Sequence, residues 1–199
     1  MLTDVQKTSV SPVFIGRADE LGALTDALAR AATGEPQMLL VGGEAGVGKT
    51  RLVEEFLATA AASGAVTAVG GCVEIGADGL PFAPVSTALR SLHAQLGDDL
   101  AHAAAGQEGE LARLLPELGE TTRESRDEDS RARLFELTAR LLERLTADRT
   151  VVIAIEDLHW ADRSTRELLG YLFRSLHTAR LVIVTTYRSD DIHRRHPLR

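Results

Sequence analysis

The stretch VGGEAGVGKTR, residues 41 to 51, places four glycines just ahead of a lysine and a threonine. Gly43, Gly48, Lys49 and Thr50 satisfy the G-x-x-x-x-G-K-[ST] spacing of a phosphate-binding loop, the Walker A pattern. Lys7 and Lys49 are the only lysines among 22 lysines and arginines, so an ammonium at 49 stands out against a composition that otherwise uses arginine. A polyphosphate has to be met by donors arriving from several directions. Glycines at 43, 46 and 48 remove Cβ atoms that would block close approach of the backbone, and they permit positive φ. A helix starting near Lys49 adds unpaired N–H groups and the positive end of its dipole. On this reading Lys49 reaches the β and γ phosphates and the Thr50 hydroxyl ligates Mg²⁺. The nucleotide-holding run is then Gly43, Glu44, Ala45, Gly46, Val47, Gly48, Lys49, Thr50 and Arg51. The competing reading is a glycine-rich strand-to-helix turn with an exposed lysine.

A second signal lies in VVIAIEDLHWAD, residues 151 to 162, where an apolar run ends in Glu156 and Asp157. Acids at the end of a buried strand are costly unless something pairs with them. Mg²⁺ is the obvious partner, and this is where a Walker B acid stands in phosphate-loop NTPases. Four apolar residues, 152 to 155, precede Glu156, which places Glu156 toward the metal and Asp157 beside the attacking water. The run from Val151 is five residues long, so the reverse assignment stays open. Both acids are therefore candidate metal ligands and candidate catalytic groups, and the alternative is that they cap the next helix together with Asp162. LVIVTTYRSD, residues 181 to 190, repeats the device with a cation: a strand runs out into Arg188. Arg188 either senses the γ phosphate or forms a surface ion pair with Asp190 or Asp191. Lys49, Glu156, Asp157 and Arg188 make up the candidate catalytic set.

These groups need a scaffold, and the hydropathy pattern supplies one. Ala18 to Ala32 reads as a helix carrying Leu21, Leu24 and Leu28, and Gln37 to Val41 as a buried strand. Leu52, Val53, Phe56 and Leu57 recur on one face of a helix that runs to about Ala62. Ala65 to Val73 and Leu181 to Thr186 read as strands; Val85 to Leu96, Glu108 to Leu115, Arg131 to Leu145 and Thr165 to Leu176 read as helices. Residues 119 to 130 read as an exposed connection. Apolar strands separated by helices imply an α/β fold, a three-layer α/β/α sandwich around a mainly parallel sheet. Ligands of such sheets bind beyond the carboxyl ends of the strands, where the phosphate loop sits.

The 199 residues suffice for one such domain, with residues 1–12 as a flexible leader and 13–199 as the folded part. A net charge of −7 and the absence of a basic stripe argue against direct contact with DNA. The single cysteine, Cys72, rules out an internal disulfide framework and reads as a small core hydrophobe. The leader has no apolar signal core and no apolar run reaches membrane-spanning length, so a cytoplasmic location is expected.

Three segments in this order resemble a known family. FIGRADEL (14–21), GGEAGVGKT (42–50) and AIEDLHWAD (154–162) are similar to the opening segment, Walker A and Walker B of AAA-type STAND ATPases. The resemblance extends to the N-terminal ATPase domain of large, MalT-like LuxR-family transcriptional regulators and to origin-recognition-type AAA domains. It covers roughly residues 13 to 188, with GLPFAPV (79–85) similar to the family's loop after the second strand. It implies a P-loop NTPase fold that binds ATP or ADP with Mg²⁺. It also implies that Val13, Phe14, Ile15, Gly16 and Arg17 pack around adenine and ribose, that Arg188 is a sensor-1-like residue, and that His159 and Trp160 are structural. Members continue into lid, sensor and DNA-binding regions, so a chain ending at HRRHPLR implies a truncation before them, with other domains or subunits of a larger regulator as partners.

The expectation is thus a nucleotide switch that hydrolyses ATP slowly and takes part in transcription regulation. The alternatives are a small-molecule kinase, with Arg123, Arg126, Arg131 and Arg133 in a lid, and an inert nucleotide-dependent interaction module. The G-R-x-x-E and HWAD segments argue against the kinase.

Overall fold

The computed structural model describes residues 17–72, 81–121 and 128–190. The leader 1–12, Val13 to Gly16, Val73, Arg123, Arg126 and Asp191 lie outside the described residues. Among these residues four strands form one sheet: β1 (Gln37–Gly43), β2 (Val66–Gly71), β3 (Val151–Glu156) and β4 (Leu181–Arg188). Their order is β1-β4-β3-β2 and every pairing is parallel. Among the described residues seven α-helices accompany them: α1 (Ala18–Ala32), α2 (Lys49–Ala62), α3 (Ala83–Leu96), α4 (Asp98–Ala103), α5 (Glu108–Leu111), α6 (Glu128–Leu145) and α7 (Arg163–Ser175). The expected α/β/α architecture of a P-loop NTPase is what the chain adopts.

Alternation along the strands sorts the core into two layers. Val152 and Ala154 of β3 and Val182 and Val184 of β4 pack with Leu52, Val53 and Phe56 of α2 and Leu24 and Leu28 of α1. Val151, Ile153 and Ile155 of β3, with Leu181 and Ile183 of β4, face α3, α6 and α7. Phe56 is fully buried, and its truncation to alanine would cost about 3–5 kcal/mol. β2 meets α3 at closest range: a Cβ on Gly70 would lie 1.9 Å from Pro84 O, so only glycine fits. α7 is closed by its N-cap Asp162, whose Oδ1 accepts from Thr165 N at 3.0 Å. Such a cap contributes about 1 kcal/mol.

Several expectations are corrected. β1 is partly exposed, with Leu40 at 53%, because it is the edge strand of the described sheet and one side lacks a neighbour. The helix expected over Glu108 to Leu115 is a single turn ending at Leu111. Pro116 disfavours helical dihedrals at the preceding residue, and Leu115 sits at φ −135°, ψ 85° before a short 3₁₀ turn at Pro116–Leu118. α4 was not read from the sequence, and α6 starts at Glu128, inside the segment expected to be a connection. Asp157 is not strand: its φ of 55° and ψ of 46° turn the chain into a 3₁₀ turn, Leu158–Trp160. Neither Glu156 nor Asp157 caps α7; Asp162 does so alone among the described residues.

Candidate functional site

β1 runs directly into the glycine-rich loop, which runs directly into α2. Gly46 and Gly48 have φ of 74° and 88°, a region L residues enter only at a cost. Gly48 is the N-cap of α2 and offers no side chain to the helix's first N–H groups. Those donors are left for an external acceptor. No acidic residue stands in the first turn of α2, where Thr50 is exposed and Arg51 half-buried.

Lys49 is 8% exposed, and its Nζ donates to Gly43 O and Glu44 O, both at 2.8 Å. The ammonium is folded over its own loop. Three further groups grip that loop from outside. Arg17, N-cap of α1 in a left-handed conformation (φ 64°), donates from Nη2 to Val47 O at 2.6 Å. Ser189 N donates to Gly43 O at 3.2 Å, and Asp190 Oδ2 accepts from Ala45 N at 3.2 Å. From the sequence alone Asp190 offers only an ion pair to Arg188. Its position two residues past the end of an apolar strand, on the sheet's ligand-binding edge, was the available signal.

The acids arrive from β3. Glu156 alternates onto the face of Val152 and Ala154, the face that α2 covers. Its Oε1 is buried and has no hydrogen-bond partner among the described residues. An uncompensated buried carboxylate oxygen is costly, and a cation at that oxygen would offset the cost. Asp157 turns away in its left-handed conformation; its N–H donates to Thr186 Oγ1 at 3.0 Å, and its Oδ1 lies 4.0 Å from Arg188 Nε and 3.9 Å from His159 Nδ1. Arg188 pairs in register with Gly43 across β4 and β1, which carries it to the mouth of the loop. Its N–H donates to His159 Nδ1 at 3.4 Å. His159 is buried, so it ties the end of β4 to the turn after β3 rather than facing solvent.

Lys49, Thr50, Glu156, Asp157 and Arg188 all stand at or just beyond the carboxyl ends of β1, β3 and β4, and Arg188 and Asp157 meet there. Phe14, Ile15 and Gly16 lie outside the described residues; Arg17 stands at the loop. Arg131 and Arg133, candidates for a kinase lid, are paired with Glu167 and Glu110 at 3.0 and 2.6 Å. Among the described residues no three His, Cys, Asp or Glu side chains converge on a point, so a divalent cation here would also need oxygens from a ligand.

Cys72 borders the site, its N–H bonded to Glu156 O at 3.0 Å. Burial, then the nearby carboxylates of Asp162 and Asp157, push its thiol from 9.0 up to about 12, with Arg166 acting the other way. It is no nucleophile near neutral pH. No described helix is long and apolar enough to cross a membrane.

A family model described as "AAA ATPase domain" matches residues 13–184. The chain is also 27% identical over 194 residues to an uncharacterized protein of Rhizobium meliloti (strain 1021), an alignment covering 88% of this chain and 18% of that protein. The chain thus spans less than a fifth of the length of the curated relative it matches.

Proposed function

The chain belongs to the AAA ATPase domain family, and from that premise we propose that it binds an adenine nucleotide with Mg²⁺ and hydrolyses ATP slowly. The reading rests on a buried loop lysine at the uncapped start of α2, together with an unpartnered buried oxygen of Glu156 at the carboxyl end of β3, on the face of the sheet that α2 covers. The residues present suit that cargo. The loop amides and the first turn of α2 would hold phosphate oxygens, and the third N–H of the Lys49 ammonium, beyond the two on Gly43 O and Glu44 O, would join them. Thr50 and Glu156 would hold Mg²⁺, which when bound neutralises charge developing on the phosphate oxygens. Asp157 would orient the attacking water and accept its proton, being partly solvated and turned out of the strand. Arg188 would contribute positive charge at the terminal phosphate.

We place this activity in a STAND-type regulator of the LuxR family, where nucleotide state would be communicated to other domains or subunits. The similarity of the three motifs supports that placement. The kinase alternative loses support because Arg131 and Arg133 are already neutralised by glutamates.

The test is calorimetric titration of Mg²⁺-ATP and Mg²⁺-ADP into the protein and its Lys49→Ala variant. Tight binding by the parent and loss in the variant support the reading. Equal affinities would end it.

A further inference from the structure

We propose that Asp190 biases the phosphate loop toward nucleoside diphosphate and against triphosphate, an inference that rests on the phosphate-loop reading above. One peptide unit, Glu44–Ala45, is held at both of its poles. Its carbonyl accepts from Lys49 Nζ at 2.8 Å, and its N–H donates to Asp190 Oδ2 at 3.2 Å. No cis peptide occurs among the described residues, so the two groups point to opposite sides of the unit. A fixed cation and a fixed anion face each other across the width of one peptide.

The carboxylate is placed, not trailing. The residue before it is tied to the loop's first glycine, Ser189 N to Gly43 O at 3.2 Å, and Ser189 Oγ donates to Asp190 Oδ1 at 3.1 Å. β4 thus hands a negative charge to a loop whose N–H groups are its means of binding anions. One of those donors is already satisfied by the chain itself.

Consider what each nucleotide asks of this arrangement. Lys49 is the cation that a terminal phosphate would recruit, and with two of its three N–H donors on Gly43 O and Glu44 O it has a third to offer. A triphosphate would bring one more phosphate, and more negative charge, than a diphosphate to a loop that already holds the Asp190 carboxylate against the Ala45 N–H. Asp190 is exposed, so solvent moderates the repulsion. The expected discrimination is about five-fold, the scale of one exposed charge contact.

The experiment is titration of Mg²⁺-ADP and Mg²⁺-ATP into the full chain and its Asp190→Asn and Asp190→Ala variants, at low and high salt, with thermal melting of each variant. Asn keeps an oxygen for the Ala45 N–H while removing the charge. In both variants the affinity ratio should move toward ATP by about five-fold, and the shift should shrink at high salt. An unchanged ratio in Asp190→Asn, with ADP still bound, overturns the inference and leaves the phosphate-loop reading standing. Equal loss of both nucleotides in Asp190→Ala with a parent-like Asp190→Asn also overturns it, because Asp190 is then only a loop anchor. A parent that binds neither nucleotide brings down the phosphate-loop reading, and this inference with it.

Discussion

Arg188 Nε stands 4.0 Å from Asp157 Oδ1 at the carboxyl edge of the sheet, with the two side chains 42% and 41% exposed. That exposure decides what the pair is for. Exposed ion pairs contribute at most about 1 kcal/mol, so fold stability is not the reason a cation and an acid meet beside the loop. Arg188→Ala is expected to melt within a few degrees of the parent and to bind ADP normally, while phosphate release from ATP falls at least ten-fold. Melting curves and a phosphate assay on the same preparation check this. A variant that unfolds early and keeps its turnover would make the contact structural.

Glu156 and Asp157 are adjacent in sequence and differ in surroundings: Glu156 has a buried, unpartnered carboxylate oxygen on the α2 face, and Asp157 is turned out toward Arg188. Glu156→Gln should remove the Mg²⁺ dependence of ATP binding. Asp157→Asn should keep Mg²⁺-ATP binding and lose hydrolysis. ATP affinity with and without Mg²⁺, measured on both variants, checks the assignment. If Asp157→Asn is the variant that loses the metal effect, the two roles are exchanged.

Turnover by the chain alone should be slow. Arginine fingers supplied from outside a phosphate-loop domain contribute about 10³–10⁵ in rate, and Arg188 is the one arginine that the described residues bring from the sheet edge to Asp157. Single-turnover measurement should give a rate far below the enzyme median of about 10 per second. A rate at that level would show the site to be complete as it stands.

Cys72 supplies a pH prediction with a definite sign. Its thiol is pushed from 9.0 up to about 12 in the folded chain, so above pH 9 the unfolded chain ionises at this position while the folded chain holds its proton. The stability this thiol supports is complete below pH 9 and is lost progressively as pH rises toward 12. Chemical denaturation from pH 8 to 10.5 should show the parent losing stability faster than Cys72→Ala. Parallel curves would contradict the shift.

The sequence was most legible where one residue type answers one local demand. α1 and α2 show their apolar faces at helical spacing, and their bounds of 18–32 and 49–62 agree with that spacing. The glycines, Lys49 and Thr50 announce the loop because phosphate binding leaves few substitutes at those positions. What escaped depends on distant neighbours. The exposure of β1 follows from its edge place in the sheet, which its own residues do not state. Asp190 meets Ala45 across 145 positions, and no local pattern reports such a contact. Asp157 looked like the next strand residue because alternation carries no warning of a left-handed turn. Pro116 acts backward on Leu115 and so bars any helix from running through it, a signal present in the sequence and outweighed there by apolar spacing.

The central claim is that Lys49 serves a bound phosphate chain and is more than a brace for its own loop. Calorimetric titration of Mg²⁺-ADP into the parent and Lys49→Ala, at protein concentrations where both are shown to be folded by melting, tests it most directly. The expected result is binding by the parent and an affinity at least ten-fold weaker in the variant, the loss of a charge-assisted contact of about 1.5–3 kcal/mol. Equal affinity in a folded Lys49→Ala variant, or no heat of binding in the parent, would contradict the account.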